Sequence, residues 1–320
     1  MATIDILSAG ALPGKTGGSL AERFTVHRVG GRATPDGLGP ILGRIRGIAR
    51  GSHFDVPRAL IERLPKLEIV ANFGVGYDGI DLKCAAERGI VVTNTPDVLT
   101  EEVADTALGL LLMTVRELSA AERHLRAGKW PKANYPLTAA TMRDRTVGIV
   151  GLGRIGLAIA RRLDAMLVPV AYHARHKRKG VTYRYYADLR AMAADVDTLI
   201  IVLPGNESTR HIVNAAILKA LGPNGVLVNV GRGIAVDEAA LIAALKGETI
   251  LAAGLDVFEN EPRVPAELIA LRNAVLLPHV GSASVYTRDA MGQLVVDNLM
   301  NWFDKGAPIT PVPETPWPIR

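Results

Sequence analysis

Cysteine occurs once in the 320 residues, at Cys84. No internal disulfide can form, and a lone thiol of this kind is expected to be inert and buried in a protein of a reducing compartment. The seven histidines show no close-set ligand spacing with cysteine or carboxylates, so no metal site is expected. No apolar run reaches the length of a bilayer-spanning helix, and no charged segment precedes an apolar one at the Met-Ala-Thr-Ile-Asp-Ile-Leu terminus. A soluble cytoplasmic protein without membrane contact is therefore expected. A net charge of +5 is modest for this length, and it favours small anionic molecules without implying nucleic acid. Internal repeats are also lacking. With 48% hydrophobic residues, the chain can bury a substantial core in two domains of ordinary size.

The most informative segment present is Arg145-Thr-Val-Gly-Ile-Val-Gly-Leu-Gly-Arg-Ile-Gly156. An apolar strand (Val147, Ile149, Val150) runs into Gly151-Leu-Gly153-Arg-Ile-Gly156. Apolar residues at helical spacing follow: Ile155, Leu157, Ile159, Ala160 and Leu163. The first glycine allows a tight turn, the second a close backbone approach to a pyrophosphate, and the third helix packing on the strand. The helix N-terminus adds free N–H groups, so this turn is expected to cradle a dinucleotide.

A further absence selects the nucleotide. The second strand of this unit, Val168–Tyr172, ends in His173-Ala-Arg175-His-Lys177-Arg178-Lys179, where an NAD site would offer Asp or Glu to the ribose hydroxyls. No carboxylate is there. A guanidinium can instead bind a 2′-phosphate bidentately, with neighbouring cations adding charge, so NADPH is expected over NADH.

Elsewhere short apolar runs alternate with helical stretches. In the first hundred residues these runs are Ile4–Leu7, Phe24–Val26, Ile45–Ile48, Leu67–Val70 and Ile90–Thr93; later ones are Asp197–Leu203, Gly225–Val230, Ile250–Leu255 and Ala274–Leu277. Such alternation predicts an α/β fold of doubly wound parallel sheets. Between the two sets a long helix is expected from Thr100, as N-cap, to about Arg126, with Glu101 and Glu102 in its first turn and Val103, Ala107, Leu111, Val115 and Leu118 on one face. A last helix is expected over Val285–Phe303, with no partner evident. The proline-rich stretch Ala307–Pro318 should lie extended.

Three charged residues follow successive strands, where open α/β sheets bind ligands. Arg232 lies between Gly231 and Gly233, and could fork onto a carboxylate and a carbonyl oxygen; an Arg of this kind could equally pair with a nearby acid. Glu261 and His279 follow the next two strands and could pair with each other. A carboxylate bonded to one ring nitrogen favours the charged imidazole, which can donate its proton through the other. Anchor, proton donor and tuning base are the set that reduction of a 2-oxo acid requires.

These residues lie in a sequence that resembles the D-isomer-specific 2-hydroxyacid dehydrogenases, and among them the NADPH-preferring glyoxylate, hydroxypyruvate or hydroxyphenylpyruvate reductases. The resemblance covers nearly the whole chain. It rests on Asn72-Phe-Gly-Val-Gly-Tyr-Asp78, Thr100–Thr106, Gly151–Gly156, Leu203-Pro204, Asn229–Gly233, Gly254–Pro262 and Pro278–Ser282. It implies Arg232, Glu261 and His279 as catalytic residues, and Val75 and Gly76 as N–H donors to the substrate carboxylate. Cofactor contacts are implied for Leu152, Gly153, Arg154 and Ile155, and for Ala174, Arg175 and His176 beside Arg178 of the basic run. Leu203, Pro204, Thr209, Val230, Gly231 and Ser282 join them, with Asp256 facing the nicotinamide end and Thr106 reaching in from the long helix.

The resemblance further implies two Rossmann-like or flavodoxin-like domains with a cleft between them. Residues 1–99 with 285–320 would form a discontinuous substrate domain, and residues 100–284 the dinucleotide domain, hinged near Leu99 and Ser284. A homodimer is implied through the long helix, with the loop around Trp130–Tyr135 near the partner's cleft. Phe54 is expected either to border the substrate or to pack in the core. Two alternatives stay open at this point. A D-3-phosphoglycerate dehydrogenase-like enzyme is one, although the chain ends near residue 320 without the extra domain some relatives carry. A non-enzymatic, dinucleotide-sensing corepressor-like protein is the other. A formate dehydrogenase is disfavoured because that branch has a neutral amide where Glu261 stands.

Overall fold

A computed structural model describes residues 4–30, 39–143, 145–315 and 317, and it divides into two compact units. Unit 1 comprises Met1–Leu99 with Ser284–Arg320, and unit 2 comprises Thr100–Ala283.

Unit 1 opens with β1 (Asp5–Ala9), α1 (Gly14–Arg23), β2 (Thr25–Val29), β3 (Gly47–Arg50) and α2 (Arg58–Glu62). It continues through β4 (Ile69–Asn72), α3 (Leu82–Glu87) and β5 (Val91–Thr93). The five strands lie in the order β2-β1-β3-β4-β5, all parallel. One core of the unit gathers Leu7, Ile48, Val70 and Val92 from the strands with Leu60, Ile61 and Ala85 from the helices.

Unit 2 runs α4 (Thr100–Val115), α5 (Leu118–Arg126), β6 (Val147–Val150), α6 (Arg154–Ala165), β7 (Val170–His173) and β8 (Arg184–Tyr186). Then come α7 (Leu189–Asp195), β9 (Thr198–Ile201), α8 (Ala215–Leu221), β10 (Val226–Asn229) and α9 (Glu238–Lys246). β11 (Ala252–Leu255), α10 (Ala266–Ile269) and β12 (Ala274–Leu276) complete it. Its seven strands lie in the order β12-β11-β10-β9-β6-β7-β8, again parallel throughout. The chain moves outward from β6 to β8, returns, and moves outward the other way from β9. The carboxyl ends of β6 and β9 are therefore the switch point where such sheets bind ligands.

The last helix, α11 (Val285–Lys305), belongs to unit 1, and its partner is now visible. It packs on α1, β3 and β4. A side chain at Gly47 would meet Leu299 and Phe303, and one at Gly292 would meet Thr16. Phe303 stands edge-on to Phe24 with ring centroids 5.8 Å apart. Of the proline-rich stretch, residues 310–312 run along the edge strand β5, with Pro311 bridging to Thr93, while bends and a turn flank them, so the stretch is not extended throughout. Val312 donates to Val92 O at 2.9 Å, and Val92 donates to Thr315 Oγ1 at 2.9 Å. This pairing covers an edge that would otherwise be open.

Two further expectations are corrected. The long helix does not run unbroken to Arg126, because Glu117 takes a left-handed conformation (φ 51°) that ends α4 and redirects α5. Leu118, placed on the buried face, is consequently 48% exposed. Phe54 is a core residue, 3% exposed among Leu7, Val56 and Ile80, so its ring is committed to packing and is not available to a substrate. An additional strand, β8, is a three-residue edge strand of Arg184, Tyr185 and Tyr186 with no apolar run to announce it. Among the described residues, no helix is long and apolar enough to cross a membrane, and no group of His, Cys, Asp or Glu is arranged to hold a metal ion.

Candidate active site

Because the strands of unit 2 are all parallel, the segments after β6, β7, β9, β10, β11 and β12 emerge at one edge of its sheet. The glycine turn after β6 shows why its residue types are needed. Gly151 has φ +102°, and a Cβ there would lie 2.7 Å from Val202 O. A Cβ at Gly156 would lie 2.3 Å from Gly151 O, so only glycine lets α6 start this close to its strand. Around Gly153 nothing lies within 4 Å, which leaves space in front of the α6 N-terminus. The basic run after β7 stands beside this turn. Arg178 donates to Leu152 O at 2.7 Å, and its main-chain N–H donates to Tyr172 Oη at 2.9 Å. Arg175, His176, Lys177 and Lys179 are exposed.

After β10, Arg232 is held between two close approaches. A Cβ at Gly231 would lie 2.8 Å from the backbone of Leu203, and one at Gly233 would lie 1.9 Å from the backbone of Phe258. Asn229, buried at the end of β10, accepts from Gly231 N–H and donates to Arg232 O, both at 3.0 Å. The turn is thus fixed from inside, and Arg232 is half-buried, its Nη1 donating to Gly231 O at 2.8 Å.

Glu261, after β11, accepts from Phe258 N–H at 3.0 Å through Oε1 and meets His279 Nδ1 at 2.7 Å through Oε2. Burial pushes this carboxyl up. The bond and charge of His279, the Phe258 amide and the nearby charge of Arg232 outweigh it and hold the group below its ordinary value. His279, after β12, has a left-handed backbone (φ 53°) that a histidine adopts only when its surroundings impose it. Asp256 imposes it. Its main-chain oxygen accepts from His279 N–H at 2.9 Å, and its carboxylate accepts from Val280 N–H at 2.7 Å and Gly281 N–H at 2.8 Å. Burial raises the Asp256 carboxyl even so. His279 keeps Nε2 without a partner among the described residues.

The sequence was compared with known proteins. A profile of the family described as "D-isomer specific 2-hydroxyacid dehydrogenase, NAD binding domain" matches residues 108–281. The chain belongs to this family. These dehydrogenases act as oxidoreductases on CH–OH donors, and several relatives of this member carry more specific names. A glyoxylate/hydroxypyruvate reductase A of Arabidopsis thaliana is 48% identical over 84% of this chain and 85% of its own. A hydroxyphenylpyruvate reductase of Plectranthus scutellarioides is 46% identical over the same shares. Among solved structures, an NADPH-dependent glyoxylate/hydroxypyruvate reductase of Sinorhizobium meliloti, in complex with NADP and malonate, has a TM-score of 0.95 and 54% identity over 98% of both chains.

In this dehydrogenase the structure brings Arg232, Glu261 and His279 to one sheet edge of unit 2 with the glycine turn and the basic run. The remaining residues expected at a cofactor divide by exposure. Gly153, Arg154, Arg175, His176 and Pro204 are exposed, and Ile155, Ala174, Leu203 and Ser282 are half-buried. Leu152, Thr209, Val230 and Gly231 are buried, so main-chain atoms are what these positions can present. Thr209 Oγ1 donates to Pro204 O at 2.8 Å, and Thr106 Oγ1 donates to Gly281 O at 3.2 Å. Both hydroxyls donate their protons to loop carbonyls and keep acceptor capacity.

Unit 1 carries Val75 and Gly76, half-buried in the turn after β4, and neither N–H has a partner among the described residues. Sequence reasoning missed the polar groups that shape these turns. Asn229 stands within a recognisable motif, whereas Arg50, Asn94 and Thr95 lie in segments that carry no such mark. One signal was available: a single Asn or Asp closing an otherwise apolar strand, as in Ile-Val-Ala-Asn72, Val-Leu-Val-Asn229 and Ala-Gly-Leu-Asp256.

Proposed function

We propose that this dehydrogenase reduces a small 2-oxo acid, of the glyoxylate and hydroxypyruvate type, to the D-2-hydroxy acid with NADPH, and that His279 is the proton donor. The observation that carries the proposal is the 2.7 Å contact between His279 Nδ1 and Glu261, with Arg232 close enough to act on that carboxylate. Relatives named for glyoxylate, hydroxypyruvate and hydroxyphenylpyruvate reduction support the substrate class, and the NADP-bound relative from Sinorhizobium meliloti supports the cofactor. The residues present fit that cofactor. The space at Gly153 admits a pyrophosphate at the α6 N-terminus, and exposed Arg175, with Lys177 and Lys179, is free to meet a 2′-phosphate where no carboxylate would repel it.

When bound, NADPH would supply the hydride. The chain's own part is binding, orientation and proton transfer. Arg232 offers a planar donor fork to the carboxylate and carbonyl oxygen of a 2-oxo acid. Val75 and Gly76 N–H groups are further donors for the carboxylate. Glu261 keeps Nδ1 of His279 engaged, which leaves Nε2 as the ring nitrogen that can hand a proton to the developing alkoxide. Unit 2 is then the dinucleotide-binding domain and unit 1 the substrate-binding domain. A homodimer is part of the proposal: α5 has no buried residue, while Leu118, Leu125 and Trp130 are 48%, 56% and 61% exposed in one region of unit 2. The free, buried thiol of Cys84 suits a cytoplasmic setting.

The test is a panel of glyoxylate, hydroxypyruvate, pyruvate and hydroxyphenylpyruvate, each assayed with NADPH and NADH. Turnover of the first two with NADPH is expected. NADPH binding with no turnover on any 2-oxo acid would overturn the proposal in favour of a dinucleotide sensor.

A further inference from the structure

We propose that Arg50 and Asn72 are a positioning pair that fixes the Gly74–Gly76 turn of unit 1 and presents the Val75 and Gly76 N–H groups to a carboxylate. The inference rests on the reading that this enzyme takes a 2-oxo acid.

The two residues end neighbouring strands and face each other in register, Arg50 on β3 and Asn72 on β4. Asn72 is fully buried, and the Arg50 side chain is 11% exposed. Arg50 Nη1 donates to Asn72 Oδ1. A guanidinium can only donate, so it settles which end of the amide faces it, and Nδ2 must point the other way. From there Nδ2 spends both hydrogens on the turn, donating to Gly74 O and Gly76 O at 3.0 Å each. The carbonyl between them is taken by Asn94, whose Nδ2 donates to Val75 O at 3.0 Å. Thr95 closes the start of the turn, accepting from Gly74 N–H at 3.1 Å and donating its own N–H to Gly74 O at 3.1 Å.

Three successive carbonyls are thus drawn to side-chain amides of the fold, and the two N–H groups within the turn have no partner among the described residues. Successive free N–H groups form an anion-binding concavity. Gly74 makes the turn possible at φ +136°. The same guanidinium donates Nε to Phe54 O at 2.6 Å, so the loop after β3 is held by the residue that holds the Asn72 amide. Gly79 keeps the room this needs, since a Cβ there would lie 2.4 Å from Arg50 Nη2 and 2.5 Å from Asp55 Oδ1.

The experiment compares glyoxylate with methyl glyoxylate, which keeps the reacting carbonyl and lacks the charged carboxylate. Asn72→Asp leaves the acceptor for Arg50 but removes the donor to Gly74 and Gly76. Arg50→Lys keeps the charge and loses the fork. In both variants kcat/KM for glyoxylate should fall about tenfold more than for the ester, mainly through KM, with NADPH affinity unchanged. Equal losses on the two substrates would overturn the proposal, because a merely structural role would loosen both. Should the buried substitutions prevent folding, Gly79→Ala perturbs the pair through the far end of Arg50, and the same unequal loss is expected. Oxalate supplies a readout without turnover: it should raise the melting temperature of the parent enzyme and fail to do so in the variants. A parent enzyme that reduces no 2-oxo acid but shows this oxalate effect would sink the proposed activity and leave the positioning pair standing; oxalate stabilisation undiminished in the variants would sink the pair.

Discussion

His279 Nδ1 and Glu261 Oε2 lie 2.7 Å apart although the residues end different loops, one after β12 and one after β11. The ring is therefore anchored at one nitrogen, and the other has no partner among the described residues. If the pair acts as proposed, Glu261→Gln should slow reduction by on the order of 10² while NADPH affinity holds. Gln keeps the length of the side chain but lacks the carboxylate that meets Nδ1, so ring orientation and proton transfer should suffer while binding survives. Steady-state kinetics and NADPH titration of both proteins check this, and a Glu261→Gln enzyme with parent turnover would assign the proton to another group.

The same carboxyl carries a stability signature. Glu261 is held below its ordinary value of 4.5, so its contribution is fully present above that pH and is lost as pH falls through the depressed folded value. The melting-temperature gap between the parent and Glu261→Gln should therefore be widest near neutrality and close in acid. Scanning calorimetry across that range gives the comparison, and a gap that widens on acidification would contradict the sign.

Cofactor choice is tested at the end of β7. Arg175 is exposed, and no carboxylate stands in the run from His173 to Lys179. Arg175→Ala should weaken NADPH by about tenfold or more and leave NADH little changed, because a charge-assisted bond to a 2′-phosphate is all that is removed. Titration of both nucleotides reads the difference.

How much of this was legible beforehand depended on range. Apolar runs closed by a glycine turn or a charged residue marked β6, β10, β11 and β12 because strand period and turn chemistry are local properties. So were the candidates at their ends. Glu117 gave no warning, since nothing in Arg-Glu-Leu distinguishes a helix break from a helix interior, and the left-handed residue there is neither Gly nor Asn. Arg184-Tyr-Tyr was too short to read as a strand. Arg50 gave no signal for a different reason: what it touches is set by Asn72 on β4, an element separated from it in the chain. The clamps on the functional turns belong to that long-range class. Asn229 bonding to Gly231 and Arg232 is a local event that sequence could have flagged, whereas Asp256 reaching Val280 and Gly281 required the register of β11 and β12.

Two glycines at the same sheet edge should respond in opposite ways to one added methyl group. At Gly233 a Cβ would fall 1.9 Å from the backbone of Phe258, and backbone cannot swing aside as a flexible side chain does. Gly233→Ala should therefore force the Arg232 turn and the Phe258–Glu261 loop apart, with a cost of about 1–3 kcal/mol in stability and a loss of turnover. At Gly153 nothing lies within 4 Å and the backbone (φ −79°) suits any residue, so Gly153→Ala should leave the melting temperature unchanged. Its methyl group would instead occupy the space in front of the α6 N-terminus that the pyrophosphate needs, so NADPH affinity should fall. Paired melting curves and NADPH titrations separate a glycine kept for packing from one kept for a ligand, and a Gly153→Ala protein with full NADPH affinity would place the dinucleotide elsewhere.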